Sequence, residues 1–441
     1  MSNSYLISNA RIVNEGTVVE GDLLIRDGRI AGIDLPAPAG VNVIDAGGAW
    51  LLPGMIDDQV HFREPGLEHK GTIATESRAA IAGGITSYME MPNCNPLTVT
   101  HAALRDKHAR AADHSWANYA FYFGATNDNL EAIKSVDPSL TCGIKVFMGA
   151  STGNMLVDNE RTLEGIFAGT DLIIATHCED TPTILANEAA AHERFGDDIP
   201  ITEHPSIRSE EACWKSSSLA VALARRHGSR LHVLHLTTAR EMALFEPGDL
   251  AGKRITAEAC VHHLFFDDSW YPEKGPYIKC NPAIKTGADR DALRAAVREG
   301  RIDVIATDHA PHLREEKERP YSKSSAGLPL VQHALLSLFE LRHQGVFDIE
   351  TIVNKTAHAP ARMFGVKERG FIREGYHADL VLIDDTAVAD PQEIHYKCGW
   401  SPFAGIDLHA RVRATWVNGH LRYHDGHHLE GPMGQALEFD R

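Results

Sequence analysis

The chain has 441 residues, too many for one ordinary small domain but enough for a (β/α)8 barrel with a smaller domain attached. At 43% hydrophobic and 23% charged it has a globular composition. It shows no apolar run long enough for a bilayer and no signal-peptide pattern at Met1, so a cytoplasmic protein is expected. Lys+Arg 43 against Asp+Glu 60 leaves a net charge of −17, which argues against nucleic acid or an anionic membrane as partner and leaves a small-molecule substrate; an anionic one would need locally placed cations.

Residues 1 to about 50 alternate apolar and polar side chains between Gly and Asn/Asp turns, as at 5–12, 22–26 and 29–33, which predicts short antiparallel strands. From Gly54 onward, short apolar runs alternate with helical stretches, the pattern of parallel β/α units. Eight strands are predicted, at 55–61, 85–91, 119–124, 143–147, 172–177, 231–236, 255–259 and 302–307. Helical stretches such as 72–82, 161–167, 210–226 and 290–298 lie between them. After Phe364 alternation returns at 379–383 and 413–423, the latter containing Asn418-Gly419, a tight-hairpin signature. The predicted architecture is a TIM-like barrel over 53–365, flanked by one small composite β-sandwich domain built from 1–52 and 366–441.

The stretch at 52–66, LPGMIDDQVHFREPG, organises the chemistry. Alternate side chains of a strand share a face, so Asp57, Gln59 and His61 are expected to project together at the mouth of a site. Barrel sites form at the C-terminal ends of the strands. Those ends carry Gln59 and His61 (first strand), Lys145 (fourth), His177 (fifth), His235 (sixth) and Asp308 (eighth). A lone histidine there is usually a hydrogen-bonded core residue; three with an aspartate make a first shell for Zn²⁺ or a similar ion. Lys145 fits such a shell only without its positive charge, as after carbamylation by CO2. The seven cysteines are widely spaced with no C-x-x-C pair, so neither disulfides nor a zinc ribbon is expected.

Segments spread over nearly the whole chain together resemble the dihydroorotases of the amidohydrolase superfamily. They are PGMIDDQVHFREPG at 53–66, MPNCNP at 91–96, GIKVFMGAST at 143–152, THCED at 176–180, LHLTTARE at 234–241, HHL at 262–264, KCNP at 279–282, ATDHAPH at 306–312 and HADLVLID at 377–384. The resemblance implies reversible closure of N-carbamoyl-L-aspartate to L-dihydroorotate in pyrimidine biosynthesis, two zinc ions per subunit and a homo-oligomer, with a dimer expected. His61, His177, His235 and Asp308 match metal ligands, and Lys145 matches a carbamylated lysine that bridges the metals. Asp308 also matches the general acid/base that takes a proton from the metal-activated water and returns it to the leaving nitrogen. Arg63 matches a carboxylate-binding arginine, Asn93, Asn281 and His312 match further substrate contacts, and Ala326 with Gly327 is a weaker match to a backbone contact.

The departure is Gln59, standing where the family carries the first histidine of a His-x-His pair. A carboxamide oxygen is a weaker zinc ligand than imidazole, which puts the second metal at issue. Two other readings stay open: a hydrolase of another cyclic amide such as a hydantoin or allantoin, and, because of Gln59, a catalytically silent structural partner of another pathway enzyme. Arg63 and His312 argue against the first, and the retained Lys145, His177, His235 and Asp308 against the second. Other features are expected to be structural or peripheral. His420, His424, His427 and His428 should decorate an exposed edge, 204–211 should be structural, and His262 with His263 should pack or support the site. The charged run 313–323 reads as a solvated loop or a mobile lid.

Overall fold

The computed structural model describes residues 4–149, 155–389 and 393–441; Ala150, Ser151 and Thr152 of the GIKVFMGAST segment lie outside them. All eight predicted barrel strands form, as Met55–Val60, Ile85–Glu90, Asn118–Phe121 with Phe123–Gly124, Ile144–Phe147, Ile174–His177, Leu231–Val233, Ile255–Cys260 and Val304–Ala306. Neighbours pair in parallel around the ring. The third position is split at Tyr122, whose hydroxyl donates to the Asp58 carbonyl at 3.1 Å across the barrel interior. The seam between the eighth and first strands closes through side chains as well as backbone. The Asp57 carboxylate accepts from the Thr307 N–H at 3.1 Å and the Thr307 hydroxyl at 2.6 Å, and the His61 N–H donates to the His309 carbonyl at 2.7 Å.

The sixth and eighth ladders are shorter than predicted because the backbone leaves the strand region just beyond them. His235 (φ 39°) and Asp308 (φ 50°) adopt left-handed conformations, as does Arg63 (φ 74°) past the first strand. For non-glycine residues these conformations are costly and persist where surrounding contacts hold them. Here they turn three polar side chains towards the barrel mouth. At Gly66 (φ 85°) a Cβ would fall 1.8 Å from the Asn95 carbonyl, so only glycine lets the loop after the first strand lie against the loop after the second.

The helices pack outside the strands behind side-chain caps. Thr72 caps Ile73–Ala82 and Ser209 caps the long Glu210–His227 helix, whose inner face buries Ala212, Ala220, Val221 and Ala224. Strands from both termini join one nine-stranded sheet. Leu380–Asp384 lies antiparallel to Trp50–Pro53, which also pairs with Tyr5–Asn14 and runs straight into the first barrel strand. Its core is Ile7, Ile12, Leu23, Leu51, Leu382 and Trp416. The Asn418-Gly419 hairpin forms between Arg411–Val417 and His420–His424. Asp379 ties sheet to barrel, accepting from the Asn418 N–H at 2.7 Å, from Asn118 Nδ2 at 3.0 Å and from Arg369. Among the described residues no helix is long and apolar enough to cross a membrane.

Candidate active site

A cavity of about 430 Å³ opens at the C-terminal ends of the strands, and Gln59, His61, Arg63, Asn93, Lys145, His177, His235, Asn281, Asp308, His312, Ala326 and Gly327 all reach it. Asp57 does not. Its carboxylate is spent one layer deeper on Thr307, so of the three side chains expected to share the mouth only Gln59 and His61 do.

The donor atoms fall into two groups flanking Lys145. On one side, His61 Nε2 and Gln59 Nε2 lie 3.0 and 3.1 Å from Asp308 Oδ1. His61 Nδ1 stands 2.6 Å from Asn93 Oδ1, so it carries the proton and leaves Nε2 bare towards a carboxylate. On the other side, His177 Nδ1 and His235 Nε2 face each other at 3.0 Å. His177 Nε2 donates to Glu179 Oε2 at 2.9 Å, which again leaves the pocket-facing nitrogen bare. Between them, the fully buried Lys145 Nζ has no hydrogen-bond partner. Burial lowers its ammonium to about 8, which raises the fraction of neutral amine able to react with CO2. Lone pairs converging on gaps, oriented by partners behind them, are the arrangement of a divalent-metal centre. The residues present therefore fit a metal, with the Gln59 amide donating to Asp308 where a ligand nitrogen would face the ion.

Arg63 supplies a cation to the pocket, which Arg208 and Lys279 also line. It is buried, donates through Nε to the Pro311 carbonyl at 3.1 Å, and among the described residues has no carboxylate within ion-pair distance. Burial lowers it to about 10, so it stays charged at neutral pH. His312 lies between Arg63 Nη2 (3.0 Å) and Lys70 Nζ (3.1 Å); burial and those cations bring it down to about 3, so it is neutral. Its Nε2 donates to the Ala326 carbonyl at 3.0 Å. The buried Asn281 Oδ1 has no protein partner.

Several pocket features were not foreseen. Glu179, two residues beyond the predicted ligand His177 in the THCED segment, is fully buried and held by Arg208 as well as His177; that pairing keeps its carboxyl at about 2 despite burial. Arg208 and His204 line the pocket, so the 204–211 segment does more than pack. His204 bonds the Tyr321 hydroxyl and the Cys280 carbonyl, each at 2.8 Å. The 313–323 run is mostly exposed, as expected of a solvated loop, but it is pinned at Lys317. It forms short helices at Arg314–Lys317 and Tyr321–Lys323, and the fully buried Lys317 donates to the Lys279, Ser325 and Gly327 carbonyls at 2.9, 2.8 and 3.0 Å. His263 donates to the Pro282 carbonyl at 3.0 Å behind Asn281. Of the C-terminal histidines, His427 is exposed on the edge as expected, whereas His428 is partly buried against Trp116 and His395 and bonds the Arg78 carbonyl at 2.8 Å.

A parallel barrel with histidine, aspartate and an orphaned lysine at its mouth, joined to a sheet made from both termini, is a barrel scaffold carrying a candidate metal centre. The model of the Amidohydrolase family matches residues 50–422, and the chain belongs to that family. It is 34% identical over 404 residues to a dihydroorotase of Halobacterium salinarum (90% of this chain, 92% of the relative). It is 31% identical over 450 residues to an allantoinase of Bacillus velezensis (99% and 98%). Among solved structures it resembles the L-hydantoinase (dihydropyrimidinase) from Arthrobacter aurescens, with a TM-score of 0.93, 26% identity and coverage of 99% of this chain and 100% of that one. These matches support a cyclic-amide hydrolase without choosing among the rings.

Proposed function

We propose that the protein is a dihydroorotase, interconverting N-carbamoyl-L-aspartate and L-dihydroorotate. The observation that carries this reading is Arg63: a buried guanidinium at the pocket, with no carboxylate in ion-pair distance among the described residues, is suited to pair with an anionic substrate. Dihydroorotate brings a carboxylate, whereas allantoin and unsubstituted hydantoin are neutral. In this reading Arg63 grips the carboxylate, and Asn93, Asn281, His312 and the backbone beside Ala326 orient the ring. Lys145, once carbamylated, would hold zinc with His177 and His235 on one side and with His61 and Asp308 on the other, where Gln59 makes the second ion the weaker. When bound, zinc acidifies water and polarises the ring carbonyl. In the hydrolytic direction Asp308 accepts a proton from the attacking water and delivers it to the departing amide nitrogen; in closure it works in reverse. Gln59 Nε2, donating to Asp308 Oδ1 at 3.1 Å, keeps that carboxylate aimed inward.

A second reading, hydrolysis of allantoin or a hydantoin, rests on the allantoinase and hydantoinase likenesses. Turnover of dihydroorotate, allantoin and hydantoin by the zinc-replete, carbonate-treated protein separates the two. Dihydroorotate is expected to be preferred by at least a hundredfold in kcat/KM. A preference for either neutral ring would replace this reading, and folded, metal-loaded protein inert on all three would point to a silent structural partner.

A further inference from the structure

Below the pocket, inside the barrel, Asp58, His232 and Glu258 project from the first, sixth and seventh strands. All three are fully buried, none reaches the pocket, and their donor atoms lie within 4.8 Å of one another. His232 Nε2 is 3.1 Å from Asp58 Oδ2 and 3.7 Å from Glu258 Oε2, yet its ring is in line with neither. His232 Nε2, both Asp58 oxygens and Glu258 Oε2 are accordingly left without a hydrogen bond.

The other edge of the ring is settled. The Thr256 hydroxyl donates to the Leu231 carbonyl at 3.1 Å, so it accepts from His232 Nδ1 at 2.8 Å. With one proton on Nδ1, Nε2 carries either a lone pair, as in a metal-ligating histidine, or a second proton. An imidazole nitrogen and two carboxylates around one buried gap are held together by a cation between them or by a second proton on the ring. In a tetrahedral zinc site with bonds of about 2.1 Å, neighbouring donors stand about 3.4 Å apart, which falls between the two spacings at His232.

We propose that this gap is a second, interior metal site. It binds a divalent transition-metal cation through His232 Nε2 and the carboxylates of Asp58 and Glu258, independently of the ions expected at the pocket. Its role is structural. Glu258 Oε1 accepts the His235 N–H at 2.8 Å, and Asp58 immediately precedes Gln59, so an ion here ties together strands whose ends carry two pocket side chains. The competing occupant is a proton. Burial disfavours an imidazolium, but the two carboxylates raise His232 to about 9, so a protonated ring would also satisfy the charges.

Zinc is the probe. The full-length protein is produced with zinc and dialysed against a chelator, and a Lys145→Ala/His177→Ala variant, which removes the shared lysine and one of the pocket's histidines, is treated identically. One zinc per chain should remain in that variant by mass spectrometry, and anomalous diffraction across the zinc edge should place it between Asp58, His232 and Glu258. Adding Asp58→Asn should reduce retained zinc at least tenfold. If that variant does not fold, the anomalous map of the zinc-loaded wild type decides alone. Anomalous peaks confined to the pocket, or nitrogen NMR showing His232 doubly protonated in zinc-loaded protein, would overturn the proposal.

Discussion

Replacing Glu179 with Gln removes a buried charge while preserving side-chain shape, and it tests whether the pocket histidines are aimed by the groups behind them. Glu179 Oε2 accepts from His177 Nε2 and from Arg208, and this pairing holds the carboxyl at about 2 against an ordinary value of 4.5. At about 1.4 kcal/mol per pH unit, that difference corresponds to ~3 kcal/mol of stabilisation at neutral pH. Because the folded-state value is depressed, the contribution is complete above about pH 4.5 and disappears as the pH falls through 2. Denaturant unfolding of metal-free protein should therefore show Glu179→Gln less stable by about 2–4 kcal/mol at pH 7, with a gap that narrows steadily below pH 4.5. Metal competition should show affinity at the His177–His235 side lowered about 10–100-fold, the range for losing a partner of a ligating histidine. A variant matching wild type in both stability and metal affinity at pH 7 would refute the reasoning, as would a stability gap that does not change between pH 7 and pH 3.

Asp308→Asn should leave the fold and melting temperature near those of wild type and lower kcat by at least about 10³-fold, since the amide cannot accept the proton; near-normal turnover would remove Asp308 as the base. Gln59→His should raise zinc bound per chain by up to one ion, measured by mass spectrometry, because imidazole is the stronger ligand; unchanged content would show that position 59 does not meet the ion. Arg63→Met should raise KM for dihydroorotate by about 10²-fold or more while leaving zinc content unchanged, as expected for loss of a charge-assisted carboxylate contact. Lys107→Met should cost about 3–5 kcal/mol in denaturant unfolding. The fully buried Lys107–Glu90 pair, 2.7 Å apart, would leave an unpaired carboxylate behind the second strand.

The sequence by itself determined the architecture and the identities at the strand ends. Alternation with period two and helical spacing are local properties, so the eight barrel strands, the terminal sheet and the Asn418-Gly419 hairpin could be read before any contact was known. The barrel rule then selected Gln59, His61, Lys145, His177, His235 and Asp308 by their place on those strands, and all six meet in one cavity. Tertiary structure decided which neighbour of a motif residue does what. Asp57 and Gln59 lie on the same strand face by periodicity, yet Asp57 closes the barrel seam on Thr307 whereas Gln59 reaches Asp308, 249 residues away. Arg208 becomes a pocket residue only because a helix start brings it to Glu179, and Lys317 is buried only because three loop carbonyls surround its ammonium. The left-handed backbones at Arg63, His235 and Asp308, which aim the side chains that matter most, have no signature in residues that ordinarily avoid them. Most of these outcomes depend on contacts between strands and loops remote in sequence, whose pairing follows from closing the barrel and not from the spacing of residues along any one segment.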